Sequence, residues 1–188
     1  MNALILCGGK GTRLRPLTYF VPKPMVKING VPVVELIYSY LYRFGIRDIF
    51  MNVHYKYNNI IRHFADNALF FYESELSGED GAIQKLINVH PNIAKDYLVV
   101  VNGDTLTNLD LTEMYRMSEG KSIQGWDKVY TGIKILSPSY LSGKDKEICK
   151  YSADFWWCDI GTWDGLKRAK KEYAKATNSL WQLPDARN

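Results

Sequence analysis

Short apolar runs alternate with amphipathic helical patterns along almost the whole chain, and this alternation limits the fold more than any other feature of the sequence. Strands and helices in regular alternation are typical of a mostly parallel sheet with helices on both faces, and we predict an α/β fold of this kind. The predicted strands are residues 2–7, 46–53, 69–73, 97–102, 129–136 and 155–160. The predicted helices are residues 32–44, 57–66, 81–89, 111–118 and 162–175.

The ends of several predicted helices carry residues that start or stop a helix. Gly45 follows the first predicted helix, where a left-handed backbone conformation ends a helix easily. Asp110 and Thr162 precede two later helices as N-caps, because their side-chain oxygens can accept hydrogen bonds from free backbone amides. The 188 residues, of which 46% are hydrophobic, suffice for one sizeable core. We predict one domain over residues 1–176 and a C-terminal tail over residues 177–188.

Charge, hydropathy and cysteine content narrow the classes of partner. The formal net charge is +4 and the basic residues are spread along the sequence, which suits an anionic small molecule better than a nucleic acid. No apolar run approaches the ~20 residues that a membrane-spanning helix needs, so we predict no membrane partner.

The chain has three cysteines, Cys7, Cys149 and Cys158, an odd number, and their spacing is not that of metal ligands. We interpret them as reduced thiols of a cytoplasmic protein.

The first predicted strand runs directly into a glycine-rich loop, LILCGGKGTRLRPLT. Gly8, Gly9 and Gly11 leave backbone amides open to an anion, and Arg13 and Arg15 add permanent positive charge. Ligands of parallel sheets bind beyond the carboxyl ends of the strands, where this loop lies. The loop matches neither G-x-x-x-x-G-K-[ST] nor G-x-G-x-x-G, so by itself it fits either a triphosphate site or a tight turn with two surface arginines.

Two aspartates lie where a metal ion would be needed beside such a loop. Asp104 follows the apolar run YLVVVNGD at the carboxyl end of a predicted central strand, and Asp159 lies in the tryptophan-rich run FWWCDIGTW. Mg²⁺ is commonly held by one or two carboxylates together with substrate phosphates. Each aspartate alone also fits a turn or a helix cap, and their joint placement favours the metal site.

Lys23 stands between two prolines in VPKPM. Proline fixes its own φ angle and restricts the residue before it, so this lysine is held on a stiff segment. The segment fits either a rigid surface turn or, beside the glycine loop, a lysine held against a phosphate.

Four motifs together, CGGKGTRLRPLT, PKPM, NGD and WWCDIGT, resemble those of the sugar-1-phosphate nucleotidyltransferases, which make nucleotide sugars. The resemblance covers roughly residues 2–175 and implies a single-domain, Rossmann-like fold. It implies two catalytic residues, Arg13 on the departing pyrophosphate and Lys23 on the phosphates at the reacting centre. Asp104 and Asp159 would bind Mg²⁺, the implied cofactor. The nucleotide would be bound by Leu6, Gly8, Gly9, Gly11, Thr12 and Arg13.

A further segment, ESELSGEDGAI, resembles the family segment E-x-x-L-G-T-A-G-A, which lines the base and the sugar. Gly78, Gly81 and Ala82 fall on the small residues of that pattern, which implies that they also bind the nucleotide. The resemblance further assigns Asn102, Gly103 and Gly132 to substrate binding.

The chain departs from the family pattern at two places. Glu79 and Asp80 replace the usual Thr-Ala, which puts two negative charges near the expected base and acceptor, and Glu79 is included among the substrate-binding candidates. The region 118–130 is short and lacks the E-K-P motif that holds the sugar and its phosphate in the family. Lys128 is the nearest lysine that can take the place of the missing one.

The resemblance implies transfer of a nucleoside monophosphate from an NTP to a sugar 1-phosphate, with release of pyrophosphate; a homo-oligomer is one assembly it allows. A cytidylyltransferase acting on a choline-phosphate or amino-acid-phosphate is an alternative that Glu79 and Asp80 favour. A metal-dependent glycosyltransferase is another, although Asp-x-Asp is expected there in place of Asn102-Gly103-Asp104. A nucleotide-sensing module without activity is a third, and the presence of Arg13, Lys23, Asp104 and Asp159 together speaks against it.

Overall fold

A seven-stranded sheet forms the centre of the fold in the computed structural model, which describes residues 1–177. The strands are β1 Asn2–Leu6, β2 Lys27–Ile28, β3 Val31–Pro32, β4 Ile49–Val53, β5 Leu69–Tyr72, β6 Leu98–Asn102, β7 Thr105–Thr107, β8 Ser122–Asp127, β9 Val129–Leu136, β10 Ile148–Tyr151 and β11 Trp157–Asp159. The helices are α1 Val33–Arg43, α2 Tyr57–Phe64, α3 Gly78–Val89, α4 Leu111–Met117, α5 Pro138–Leu141 and α6 Trp163–Thr177. Short 3-10 turns cover Thr12–Leu14, Leu17–Tyr19, Lys23–Met25, Ala65–Asn67 and Pro91–Lys95.

The strand order in the main sheet is β10-β8-β9-β6-β1-β4-β5. Strand β1 pairs in parallel with β4 and β6, β4 with β5, and β10 with β8, whereas β9 runs antiparallel to both β6 and β8. The predicted mostly parallel sheet is confirmed. The last predicted strand, β11, lies outside this sheet, because it pairs with β7 in a separate two-stranded ribbon.

Alternate residues of the central strands point into two hydrophobic clusters, one on each face of the sheet. In β1, Ile5 belongs to the cluster that contains residues of α1, α2, α4 and α6, and Leu4 belongs to the cluster that contains residues of α3 and α5. In β6, Val99 and Val101 face the first cluster and Val100 faces the second. Helices on both faces are therefore confirmed.

The predicted helix ends are confirmed. Gly45 has a φ of 80° just after α1. The Asp110 carboxylate accepts hydrogen bonds from two amides of the first turn of α4. The Thr162 hydroxyl accepts one from the amide of Gly165 at 3.1 Å, at the start of α6. Residues 178–188 of the predicted tail lie outside the described residues, and the boundary after residue 176 stays a prediction.

A close approach between the ends of β1 and β6 forms part of the lining of a cleft at this edge of the sheet. The Gly103 amide donates a hydrogen bond to the Leu6 carbonyl at 2.9 Å. A Cβ atom at Gly103 would lie 2.5 Å from that carbonyl oxygen, so no larger residue fits without moving the backbone. Glycine at this position lets the chain turn sharply after β6 and brings Asp104 over the end of β1.

The part of the chain that the structure describes contains no helix that is both long and apolar enough to span a membrane. The three cysteines are free thiols, and those of Cys7 and Cys158 are buried. Burial and the nearby Asp104 raise the pKa of the Cys7 thiol.

Candidate active site

An open cleft of about 300 Å³ lies at the carboxyl ends of β1, β4 and β6. This is the edge at which the sequence predicts a ligand. The cleft is lined by Leu6, Gly8, Gly9, Lys23, Pro24, Asn52, Glu73, Leu76, Gly78, Glu79, Asn102, Gly103 and Asp104.

The charged groups predicted to act on phosphates converge at one end of this cleft. The Lys23 ammonium forms an ion pair with the Asp104 carboxylate, and both side chains are largely buried. A Cβ atom at Gly161 would lie 2.7 Å from Asp159 Oδ1 and 2.8 Å from both Arg13 Nη2 and Lys23 Nζ. The glycine thus leaves room for three charged side chains to approach each other. Four motifs that are far apart in the sequence meet at this charged centre.

The two aspartates of the charged centre lie close enough to interact. Burial raises the pKa of Asp104, the Lys23 ammonium lowers it, and the Asp159 carboxylate raises it, which leaves the pKa above its ordinary value. Two adjacent carboxylates in a partly buried site are stabilised by a cation, and oxygen ligands suit Mg²⁺.

The donor set therefore fits a magnesium ion that takes its other ligands from substrate. Within residues 1–177, no group of three or more His, Cys, Asp or Glu side chains is placed to hold a metal. A site with two carboxylates and several open positions is what Mg²⁺ uses when phosphates complete its coordination.

Only the first half of the glycine loop lines the cleft. Leu6, Gly8 and Gly9 line the cleft, whereas Gly11 packs against Thr18 and Lys23. Thr12 is exposed and does not line the cleft. From the second half of the loop, the Arg13 side chain reaches the charged centre.

Arg15 lies outside the charged centre. It is exposed, and its guanidinium carbon lies 5.0 Å from the centre of the Tyr19 ring. The two arginines of the loop therefore differ in environment, which makes Arg15 a control for Arg13.

The small residues of the segment before and within α3 have different places. Gly78 lines the cleft. Gly81 packs against the Ser77 side chain and is not a lining residue. Ala82 is fully buried in the cluster beneath α3, so its position gives it a packing role and no contact with the cleft.

The two acidic residues that depart from the family pattern both lie in the first turn of α3, but in different environments. Glu79 lines the cleft and forms an ion pair with Lys134 of β9. Asp80 is exposed. Lys128 is also exposed, at the turn between β8 and β9, and does not line the cleft.

Two of the three substrate-binding candidates near the end of β6 line the cleft. Asn102 and Gly103 line the cleft beside Asp104. Gly132 lies behind this lining, with the Asn102 amide nitrogen 3.1 Å from the position that a Cβ atom would occupy.

Sequence reasoning missed a polar network at the end of the cleft beside β4 and β5. Asn52 accepts a hydrogen bond from the Cys7 amide at 2.7 Å and donates one to Glu73 Oε2 at 2.6 Å. The Ser77 hydroxyl and the Lys85 ammonium donate to Glu73 Oε1 at 2.6 Å and 3.3 Å. The network ties the start of the glycine loop to β4, β5 and α3.

Glu73 is only 1% exposed, yet its surroundings favour the ionised carboxylate. Burial raises its pKa, but hydrogen bonds from Ser77, Asn52 and Lys85 outweigh that effect and hold the pKa below its ordinary value. A signal was present in the sequence, because Asn52 is a single polar residue inside the apolar strand IFMNV. A buried polar side chain must find partners, so such a residue indicates a network.

Comparison with known proteins agrees with the fold. The family model for nucleotidyl transferases matches residues 2–132, and the chain belongs to this family. The matched region includes the glycine loop, Lys23 and Asp104, and it ends before Asp159.

Among similar proteins is D-glycero-alpha-D-manno-heptose 1-phosphate guanylyltransferase of Campylobacter jejuni, with 38% identity over 126 residues, covering 64% of this chain and 55% of the relative. Another is UTP–glucose-1-phosphate uridylyltransferase of Synechocystis, with 33% identity over 136 residues, covering 64% of this chain and 35% of the relative. The chain therefore spans about half or less of the length of these curated relatives.

A solved structure of HddC from Yersinia pseudotuberculosis complexed with GMP-PN has the same fold. Its TM-score is 0.74 at 22% identity, and the similarity covers 92% of this chain and 99% of the HddC chain.

Proposed function

We propose that the protein transfers a nucleoside monophosphate from an NTP to a sugar 1-phosphate, with release of pyrophosphate and formation of an NDP-sugar. The convergence of Arg13, Lys23, Asp104 and Asp159 around Gly161, at the end of an open cleft, carries the proposal. The relatives named as guanylyl- and uridylyltransferases support both the type of reaction and the class of acceptor.

The residues of the cleft have distinct tasks in this reaction. Amides of the loop at Gly8 and Gly9 approach the triphosphate, because no side chain shields them. The Arg13 guanidinium neutralises the pyrophosphate as it leaves, and Lys23 holds the phosphates at the reacting centre. Asp104 and Asp159 would hold Mg²⁺, which when bound neutralises charge on the phosphates and orients them.

The reaction needs no nucleophile from the protein. An oxygen of the acceptor phosphate attacks the α-phosphorus in line, and the bond from the α-phosphorus to the bridging oxygen of pyrophosphate breaks. Both reactants are anions, so the main contributions of the chain are positioning and charge neutralisation. The Cys7 thiol lies beside the loop, but burial and Asp104 raise its pKa, and it stays protonated.

The alternative that uses a non-sugar acceptor loses its main support. It depends on negative charge from Glu79 and Asp80, which would attract a cationic acceptor such as a choline phosphate. The Glu79 charge is paired with Lys134, and Asp80 is exposed.

The absence of disulfides among the three cysteines supports a location in the reducing cytoplasm.

Pyrophosphate release tests the proposal. The protein is mixed with Mg²⁺, each of ATP, GTP, CTP, UTP and dTTP in turn, and a panel of hexose 1-phosphates, heptose 1-phosphates and phosphocholine. Release that needs a sugar 1-phosphate and stops with EDTA supports the proposal. Release with phosphocholine alone favours the non-sugar alternative, and no release with any pair contradicts the proposed reaction.

A further inference from the structure

The two ends of the cleft differ in chemistry. At the end beside β4 and β5, Leu76 offers an apolar surface, and the polar atoms of Asn52 and Glu73 are already hydrogen-bonded within the protein. At the end beside β6 and β9, the lining is polar and includes Asn102 and Glu79. The charged centre of Lys23 and Asp104 lies where β1 and β6 end.

A flat, weakly polar group fits the first end, and a group rich in hydrogen-bond donors fits the second. In a reaction between an NTP and a sugar 1-phosphate, the nucleobase is the flat group and the sugar is the group with many hydroxyls. The reacting phosphates of both molecules then meet at the charged centre.

The polar end holds an ion pair between Glu79 and Lys134 that takes no part in the phosphate chemistry proposed above. Glu79 lies in the first turn of α3, and Lys134 lies in β9 opposite Val100, on the sheet face that α3 covers. The Lys134 side chain is 12% exposed and that of Glu79 is 23% exposed. The Lys134 ammonium also lies 4.9 Å from the centre of the Tyr130 ring.

We propose that Glu79 binds hydroxyl groups of the acceptor sugar and that Lys134 is the positioning residue that makes this possible. The inference rests on the proposed function and deepens it. Glu79 lines the cleft and Lys134 lies behind it, so the acceptor meets the carboxylate and not the ammonium.

The charges of Glu79 and Lys134 indicate a different role for each residue. An ionised carboxylate only accepts hydrogen bonds, so its partner on the acceptor must be an O–H or N–H group. An uncompensated carboxylate would repel the phosphate of the same acceptor molecule, because like charges a few ångströms apart interact strongly at a partly buried site. Lys134 cancels that repulsion and holds the carboxylate in one orientation. Burial, and to a smaller extent the nearby Glu79 carboxylate, raise the pKa of the Tyr130 hydroxyl, in keeping with the place of Glu79 next to this side chain.

Steady-state kinetics with α-glucose 1-phosphate, α-mannose 1-phosphate and their deoxy analogues tests the pair. We expect Glu79→Gln to raise the KM for the hydroxylated acceptor about tenfold or more, as expected for loss of a hydrogen bond to a charged group. The KM for the NTP should change less than about twofold. A deoxy analogue that lacks the bound hydroxyl should show little further loss in Glu79→Gln.

The positioning role of Lys134 needs a separate readout. Lys134→Met leaves Glu79 unpaired and should raise the acceptor KM more than Glu79→Gln does. Lys134→Arg keeps the charge and should restore most of the affinity. The double variant Glu79→Gln with Lys134→Met should bind the acceptor better than Lys134→Met alone, because removal of the carboxylate removes the repulsion. Asp80→Asn is the matched control on the exposed side of the same turn, and its acceptor KM should equal that of the wild type.

Binding measured without turnover separates this inference from the proposed function. Calorimetry of each sugar 1-phosphate with the protein and a non-hydrolysable NTP analogue reports the acceptor site alone. Sugar phosphate binding that Glu79→Gln weakens supports the inference even if no pyrophosphate is released, and in that case only the proposed reaction fails. An acceptor affinity unchanged in Glu79→Gln, an equal change in NTP affinity, or no binding of any sugar 1-phosphate overturns the inference.

Discussion

At the scale of single residues, Asp104 and Asp159 are the side chains whose chemistry is most sharply defined. Burial raises the pKa of Asp104, the Lys23 ammonium lowers it and the Asp159 carboxylate raises it. We predict that Asp104→Asn and Asp159→Asn each lower turnover by at least ~100-fold, because each removes a hard oxygen ligand from the proposed Mg²⁺ site. The measurement is pyrophosphate release at saturating Mg²⁺, with circular dichroism to show that the fold is kept.

The exposed Asp164, in the first turn of α6, provides the control for this pair of variants. Asp164→Asn removes a carboxylate from the same region and should leave turnover unchanged. Near-normal release from either Asp104→Asn or Asp159→Asn would rule out the metal assignment.

The two arginines of the glycine loop form a second matched pair. Arg13 Nη2 approaches the charged centre, whereas Arg15 lies over the Tyr19 ring. We predict that Arg13→Ala raises the KM for pyrophosphate in the reverse reaction by about tenfold or more, since a charged hydrogen bond to the leaving group is lost. Arg15→Ala should change this KM less than about twofold. Equal small losses in the two variants would contradict the assignment of Arg13 to the pyrophosphate.

The sequence predicted the charged residues of the centre because each belongs to a motif with an independent physical reason. Lys23 is fixed between prolines, and Asp104 follows a buried strand. Lys134 could not be found in this way, because it is one lysine in a strand with an ordinary apolar pattern. Its role depends on β9 lying beside α3, which no local pattern reveals.

At the scale of elements, the network of Asn52 and Glu73 joins the ends of β4 and β5 to the glycine loop. Because the folded pKa of Glu73 is lowered from 4.5, the unfolded chain binds a proton at this group at a higher pH than the folded chain does. The contribution to stability is therefore fully present above about pH 4.5 and is lost as the pH falls through the lower folded pKa.

Urea unfolding at pH 7 and at pH 4 tests the network. We predict that Glu73→Gln lowers the free energy of unfolding at pH 7 by about 1–3 kcal/mol, because partners are left with a weaker acceptor in a buried site. The difference from the wild type should shrink as the pH falls below 4.5. Glu75→Gln, at an exposed position two residues away, should leave the stability unchanged at both values. A Glu73→Gln variant as stable as the wild type at pH 7 would contradict the role of the network.

All six predicted strands and all five predicted helices are present, because each carries an apolar pattern of the right period. Five strands of the described residues, β2, β3, β7, β8 and β10, and the short helix α5 were not predicted. Strand β8, with the sequence SIQGWD, has an internal glycine and few apolar residues, which weakens the strand signal. Strands β7 and β10 have three and four residues, too few for a clear period.

At the scale of the whole molecule, the order of the strands decides where the site lies. Strand β1 lies between β4 and β6, and this brings the glycine loop next to Asn52 on one side and Asp104 on the other. These pairings join residues about fifty to one hundred positions apart in the sequence. Local patterns carry no information on such pairings, so the strand order and the separate β7–β11 ribbon could not be predicted.

Because the cleft is built from distant parts of the chain, a ligand that fills it must stabilise the whole fold. A ligand that binds the folded state alone, at one hundred times its Kd, adds about 2.7 kcal/mol to the free energy of unfolding. For a chain of this size, that corresponds to a rise in Tm of about 5–10 °C. We predict a rise of this order for the NTP that supports turnover, measured by thermal unfolding with Mg²⁺.

Arg15→Ala should show the wild-type rise in Tm, while Arg13→Ala should show less than half of it at the same NTP concentration. Since both arginines are exposed, neither substitution should change the Tm of the free protein by more than about 2 °C. An equal rise in Tm for Arg13→Ala and Arg15→Ala would place the triphosphate away from the charged centre.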